Sequence, residues 1–148
     1  MSNGAARLDS AVGAAQLAGM ERAHTIDDDS IATLVKAFYA KVRRDPQIGP
    51  VFEAAVEDWD AHLETLGAFW SSVMLTTDRY KGNPMAAHMK HPIEPAFFDR
   101  WLALWRETTH ELFAPELAAR FVDKAERIGE SLKLGLFFRP QLRIVPRR

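Results

Sequence analysis

The chain predicts an all-α domain, and three observations carry that expectation. Apolar residues recur at three- and four-residue spacing in several long stretches. Prolines bracket those stretches, and no strand-like alternation of useful length occurs. There is also no internal repeat and no glycine-rich phosphate loop. At 148 residues and 47% hydrophobic content, one domain with a sizeable core is expected.

In chain order, residues Met1 to about His24 are rich in Ala and Gly without a clear apolar face; Ala11 to Met20 suggest at most a frayed helix. They read as an appended, mobile arm. Asp27-Asp28-Asp29 suits a helix start, where carboxylates meet the positive end of the dipole. From there Ile31, Leu34, Val35, Phe38 and Val42 recur at helical spacing until Asp45-Pro46 stops the run. Tyr39 stands at the edge of that stripe, and its hydroxyl needs a partner if covered. Gln47 to Phe52, with Gly49-Pro50, reads as a tight corner, and Glu53 to Asp60 as a polar linker.

A second long helix is expected from about Trp59 to Thr76, with His62, Leu66, Phe69, Trp70 and Val73 on one side. Gly67 would permit a close approach to its backbone. Asn83 can cap a short helix in which Pro84 takes the first turn and Pro92 forbids continuation, so His88 rides on about two turns. Glu94-Pro95 starts a helix crowded with Phe97, Phe98, Trp101, Leu102, Leu104, Trp105 and Thr108. Ala114-Pro115 starts the last, with Leu117, Phe121, Ala125, Ile128, Leu132 and Leu136 inward and Pro140 at its end. The expected organisation is an arm over 1–25, a helical domain over 26–138 and a basic tail over 139–148.

The totals exclude several function classes. A net charge of -1 gives no electrostatic reason to expect nucleic acid or an anionic membrane. With no cysteine, disulfides, thiolate zinc sites and cysteine catalysis are ruled out. No secretory signal and no window of about twenty apolar residues is seen, so cytoplasm is the default. Ser71-Ser72 sits in a helix without an elbow, which argues against a hydrolase nucleophile. A zinc site from His62, His88 and His91 lacks recognisable ligand spacing.

What remains is a set of polar rings on apolar faces. Tyr39, His62 and Trp101 lie on the inner faces of three long helices, and His88 has a short helix to itself. Leaving a buried donor unpaired costs about 1–3 kcal/mol, so these groups need partners. Three donors converging on an apolar pocket that also holds one imidazole would suit a flat, metal-containing cofactor. Tight packing between longer helices is the competing account of the short helix, and a half-buried, satisfied histidine that of His62.

Phe38-Tyr39, Gly49-Pro50-Val51-Phe52, Trp59 with His62, Phe69-Trp70, Tyr80-Lys81-Gly82-Asn83-Pro84-Met85 with His88, and Phe97-Phe98-Asp99-Arg100-Trp101-Leu102 follow one another in that order. From about Ile26 to Phe138 the chain thereby resembles a truncated haemoglobin, and the third group more than the others. The paired-glycine motifs of the first two groups are absent, the stretch from Pro84 to His88 is shorter than in the second, and His62 fits the third group's distal histidine.

The resemblance implies a two-over-two helical sandwich around haem b, with the arm as an N-terminal extension. It makes His88 the proximal iron ligand and Phe52 the ring packed on the porphyrin. Tyr39 and Trp101 become distal donors, and His62 the distal histidine or a gate to solvent. Phe38, Leu66, Phe69 and Trp70 complete the cofactor pocket. His91 departs from the pattern, standing where the family usually has an apolar residue; its place directly before Pro92 favours His88 as the ligand.

The implied ligands are O2, NO, CO or peroxide. Oxygen held by several donors leaves slowly, which suits nitric oxide dioxygenation or peroxidase-like turnover, with a reductase restoring ferrous iron. The alternatives are an oxygen store or sensor without turnover, and a helical interaction module without cofactor.

Overall fold

Asp27 opens the first helix, α1 (Asp28–Arg44), with a reciprocal cap: its carboxylate accepts the Ser30 amide at 2.8 Å, while the Ser30 hydroxyl accepts the Asp27 amide at 3.0 Å. The computed structural model describes residues 21–88, 91 and 93–137. Most of the expected arm, the basic tail, and Pro92 and Pro140 lie outside the described residues. In α1, Ile31, Leu34, Val35, Phe38, Tyr39 and Val42 are buried on one face, as their spacing predicts.

The tight corner expected at Gly49-Pro50 is instead a helix, α2 (Gly49–Ala55), which also takes the first residues of the expected polar linker. Pro50 presets its first turn, and the Asp45 carboxylate accepts the Gln47 and Ile48 amides at 3.0 Å just before it. Gly49 permits the entry. A Cβ there would come within 2.9 Å of the Val42 and Arg43 carbonyl oxygens at the end of α1.

Asp58 caps α3 (Trp59–Leu75) by accepting the Ala61 amide at 3.2 Å, and Thr76 ends it in the left-handed region, φ 53°. Among the described residues, a Cβ at Gly67 would meet nothing within 4 Å, so none of them makes the close approach this glycine would permit. The Ser71 hydroxyl pairs with Thr77 at 2.7 Å, and the Ser72 hydroxyl accepts the Tyr80 amide at 2.8 Å, which fastens the following connector. Next come α4 (Pro84–His88), α5 (Pro95–Leu112) and α6 (Pro115–Phe137). Asn83 does cap α4, its side-chain oxygen accepting the Ala86 amide at 3.1 Å.

The long helices form two layers. α1 packs on α3 and α5 on α6, with α1 against α5 between the layers; α2 rests on α1, and α4 on α6. That is the two-over-two sandwich. Its centre is aromatic: Trp105, with no exposed surface, touches Phe38 (ring centroids 4.8 Å), Trp70 (4.5 Å) and Phe121 (6.1 Å). Its indole N–H donates to the Phe121 carbonyl oxygen at 3.1 Å, so its burial leaves no donor unpaired.

Strand-like pairing among the described residues is confined to one bridge, Ala23 against Phe113. The Ala23 amide donates to the Leu112 carbonyl at 2.8 Å, and the Ala23 carbonyl accepts the Ala114 amide at 2.9 Å. The chain is therefore fastened to the α5–α6 corner three residues before Ile26, where the side-chain pattern places the start of the domain.

Candidate functional site

A cavity of about 280 Å³ opens between the layers, and Tyr39, Phe52, His62, Leu66, Phe69, Trp70, His88 and Trp101 all line it. Residues far apart in sequence are thus brought to one place. α1 brings Tyr39, α2 Phe52, α3 the series from His62 to Trp70, α4 His88 and α5 Trp101. A second compartment of about 470 Å³ shares Phe52, His62, Thr65, Ala87, His88 and Phe97 with the first. His91, Glu57 and Asp58 lie on its outer side and are exposed. Taken together the compartments fall within the roughly 300–1,000 Å³ usual for cofactor-sized sites.

Phe38 is placed differently from the others. It lies behind the wall with no exposed surface, its ring 4.7 Å from Tyr39 and 5.4 Å from Trp101, both edge-on. It supports two lining residues and does not itself line either compartment.

His88 stands at the last residue of α4, and its Nδ1 is 2.6 Å from the Pro84 carbonyl oxygen one turn back. Because a carbonyl oxygen only accepts, that contact requires a proton on Nδ1 and leaves the Nε2 lone pair free. Such a backbone carbonyl is a common second partner of a metal-bound histidine, fixing tautomer and ring orientation. His62 Nε2 is buried with no hydrogen-bond partner among the described residues. Burial, and then the neighbouring His88 imidazole, hold the His62 imidazole below the ordinary histidine value, so it is neutral at pH 7.

Burial pushes the Tyr39 hydroxyl up to about 12, with the Trp101 indole acting in the opposite sense. The phenol therefore keeps its proton as a donor. Its ring meets Phe52 at 5.5 Å and His62 at 6.1 Å, and Phe52 stacks on Phe97 at 5.5 Å. This donor set fits haem. One imidazole has its second nitrogen already engaged, and the walls around the space are largely apolar.

Several lining residues had escaped the sequence reading as site residues. Phe97, Phe98, Ile128 and Leu132 were legible as inward-facing but not separable from core, since cavity wall and core share one apolar signature. Thr65 and Ala87 carry no signal of their own. Tyr80 could have been found: it is a phenol inside the stretch that leads to His88, and burial raises its pKa.

No family model matches the chain. Among curated proteins it is 33% identical over 118 residues to the group 3 truncated hemoglobin ctb of Campylobacter jejuni, covering 76% of this chain and 93% of that one. Among solved structures it is similar to the crystal structure of a group III truncated hemoglobin from Campylobacter jejuni, with TM-score 0.75 and 31% identity. That likeness covers 78% of this chain and 95% of the other.

Proposed function

Because the chain belongs to the group III truncated haemoglobins, a family of haem-binding globins, we propose that it holds haem b through His88 and uses it for oxygen, nitric oxide or peroxide chemistry, not oxygen transport. The domain doing so is residues 26–138, and the compartment is the cytoplasm, where a reductase supplies electrons. One observation carries the reading. The cavity that receives a histidine with only Nε2 left for a metal also receives three polar rings, Tyr39, His62 and Trp101.

When bound, haem supplies an iron with an open position for a small ligand. The remaining work belongs to the chain. Pro84 orients the His88 ring, while Phe52, Leu66, Phe69 and Trp70 exclude water. Tyr39 and Trp101 offer O–H and N–H donors to a ligand that draws negative charge, which favours oxygen over carbon monoxide. Neutral His62, at the junction of the two compartments, can donate or accept a proton at Nε2 according to its tautomer.

Each hydrogen bond to a charged acceptor is worth about 1.5–3 kcal/mol. Tyr39→Phe is therefore expected to speed oxygen release on the order of ten- to a hundred-fold, measured by stopped flow. An unchanged off-rate counts against Tyr39 as a donor. Catalytic nitrate formation from nitric oxide and oxygen, or steady peroxide consumption, by the haem-loaded chain with a reductant tests turnover. Stoichiometric gas binding without either moves the assignment to a store or sensor.

A further inference from the structure

Three of the four tryptophans form one stack. Trp101 and Trp105 lie parallel to within 5° at 5.6 Å, and Trp105 and Trp70 to within 21° at 4.5 Å. Both outer rings, Trp101 and Trp70, line the inner cavity, and Trp105 is wholly buried between them. Filling a core needs only volume, which edge-on contacts such as those of Phe38 supply equally well. Parallel indoles do something more. They are easily oxidised rings that can share a positive charge, and here the charge could enter from the cavity at either end.

The surroundings favour that charge. The Trp105 N–H donates to the Phe121 carbonyl oxygen, and such a bond strengthens when its donor becomes positive. Trp59 is the opposite case. The Arg43 guanidinium stands 4.4 Å over its ring, an attraction that turns repulsive once the ring loses an electron. No such cation–ring contact is found at the three stacked indoles among the described residues.

We propose that the Trp70–Trp105–Trp101 stack gives up one electron during peroxide reduction in the cavity and holds the resulting radical cation. This rests on the peroxide side of the function proposed above. Reducing hydrogen peroxide to the level of two waters takes two electrons and two protons, and breaks the O–O bond. The indole stack would give one of these electrons and the iron of a bound haem would supply the other, with solvent supplying the protons. The Trp105 N–H proton stays in its bond to Phe121. Two equivalents of a one-electron donor of the phenol or ascorbate class then restore both.

The test uses the full chain produced with 5-fluorotryptophan, loaded with haem, mixed with hydrogen peroxide and freeze-quenched for electron paramagnetic resonance. A radical signal whose hyperfine pattern changes with the fluorine label, persists in Trp59→Phe and is lost in Trp105→Phe is expected. The label leaves the shape of the core intact, so it identifies a tryptophan radical even where Trp105→Phe folds poorly, and Trp59→Phe then tests the one indole outside the stack. Peroxide consumption with no radical overturns the proposal and leaves the function standing. So does a radical indifferent to the label and abolished by Tyr39→Phe, or a labelled signal lost in Trp59→Phe. A chain that takes up no haem overturns both, and a haem-loaded chain that consumes no peroxide overturns the proposal together with the peroxide side of the function.

Discussion

At His88 the Nδ1 proton is already committed to the Pro84 carbonyl, so a metal can be reached only through Nε2. His91, three residues on, is exposed at the outer compartment. His88→Ala is therefore expected to lose stably bound haem, seen as loss of Soret absorbance after gel filtration, while His91→Ala keeps it. The reverse ordering would move the ligand to His91. The tyrosines give a second test at this scale. Tyr39 and Tyr80 are the chain's two tyrosines, and burial raises both, Tyr39 to about 12. Between the ordinary value of 10.0 and about 12 the unfolded chain releases a phenolic proton that the folded chain keeps. Stability should thus be undiminished by these groups below pH 10 and should fall as the pH rises through that window. Tyrosinate absorbance from Tyr39 should appear only with unfolding there; normal titration of both phenols in the folded chain would contradict the burial of Tyr39.

At the level of elements, Asp45 ties three helices together. Its carboxylate accepts the two amides that lead into α2, its amide donates back to Val42 of α1, and the Arg100 guanidinium of α5 lies 2.7 Å away. Burial alone would raise the carboxyl; the Ile48 amide, Arg100 and the Gln47 amide outweigh it and hold it below the ordinary value. The stability it lends is therefore full above the ordinary 3.8 and is lost as the pH falls through the lowered value. Asp45→Ala should cost about 1–3 kcal/mol at neutral pH in urea denaturation, and should flatten the acid limb of the stability curve. This knot also explains where the sequence was legible and where it was not. The long helices announce themselves through the spacing of Ile31 to Val42 or Phe97 to Thr108, and through Pro95 and Pro115 at their starts. α2 does not: seven residues are too few to display a period, and its geometry depends on Asp45 and on the contact of Gly49 with the end of α1. His88 and its cap were legible because Asn83 and Pro84 signal locally. The distance from Nδ1 to Pro84 required coordinates, as did the orphaned state of His62 Nε2.

For the whole molecule, the arrangement is a rigid aromatic centre beside a space the protein does not fill. The centre could be expected from the density of aromatic residues on α5, but which of those rings face the space depends on how two layers cross, and helical spacing carries no such information. The division is visible in Phe38 and Tyr39, neighbours in sequence, of which one is core and the other wall. A group that binds this space in the folded state alone stabilises that state by mass action. Titrating haem into the haem-free chain should raise the thermal midpoint in a concentration-dependent way, with about 4 kcal/mol gained once free haem exceeds its dissociation constant a thousand-fold. A midpoint indifferent to haem would mean that the cavity does not take it.

The bridge at Ala23 has a practical consequence for such measurements. It meets α5 at its C-terminal end, whereas Phe97, Phe98 and Trp101 face the cavity from its first half. At 1.5 Å of rise per residue, Trp101 and Phe113 are about 18 Å apart along the axis. His24, exposed next to the bridge, is thus a position for a fluorophore that is anchored by main-chain bonds and stands clear of the cavity entrance. Quenching of such a dye would report haem arriving without obstructing it.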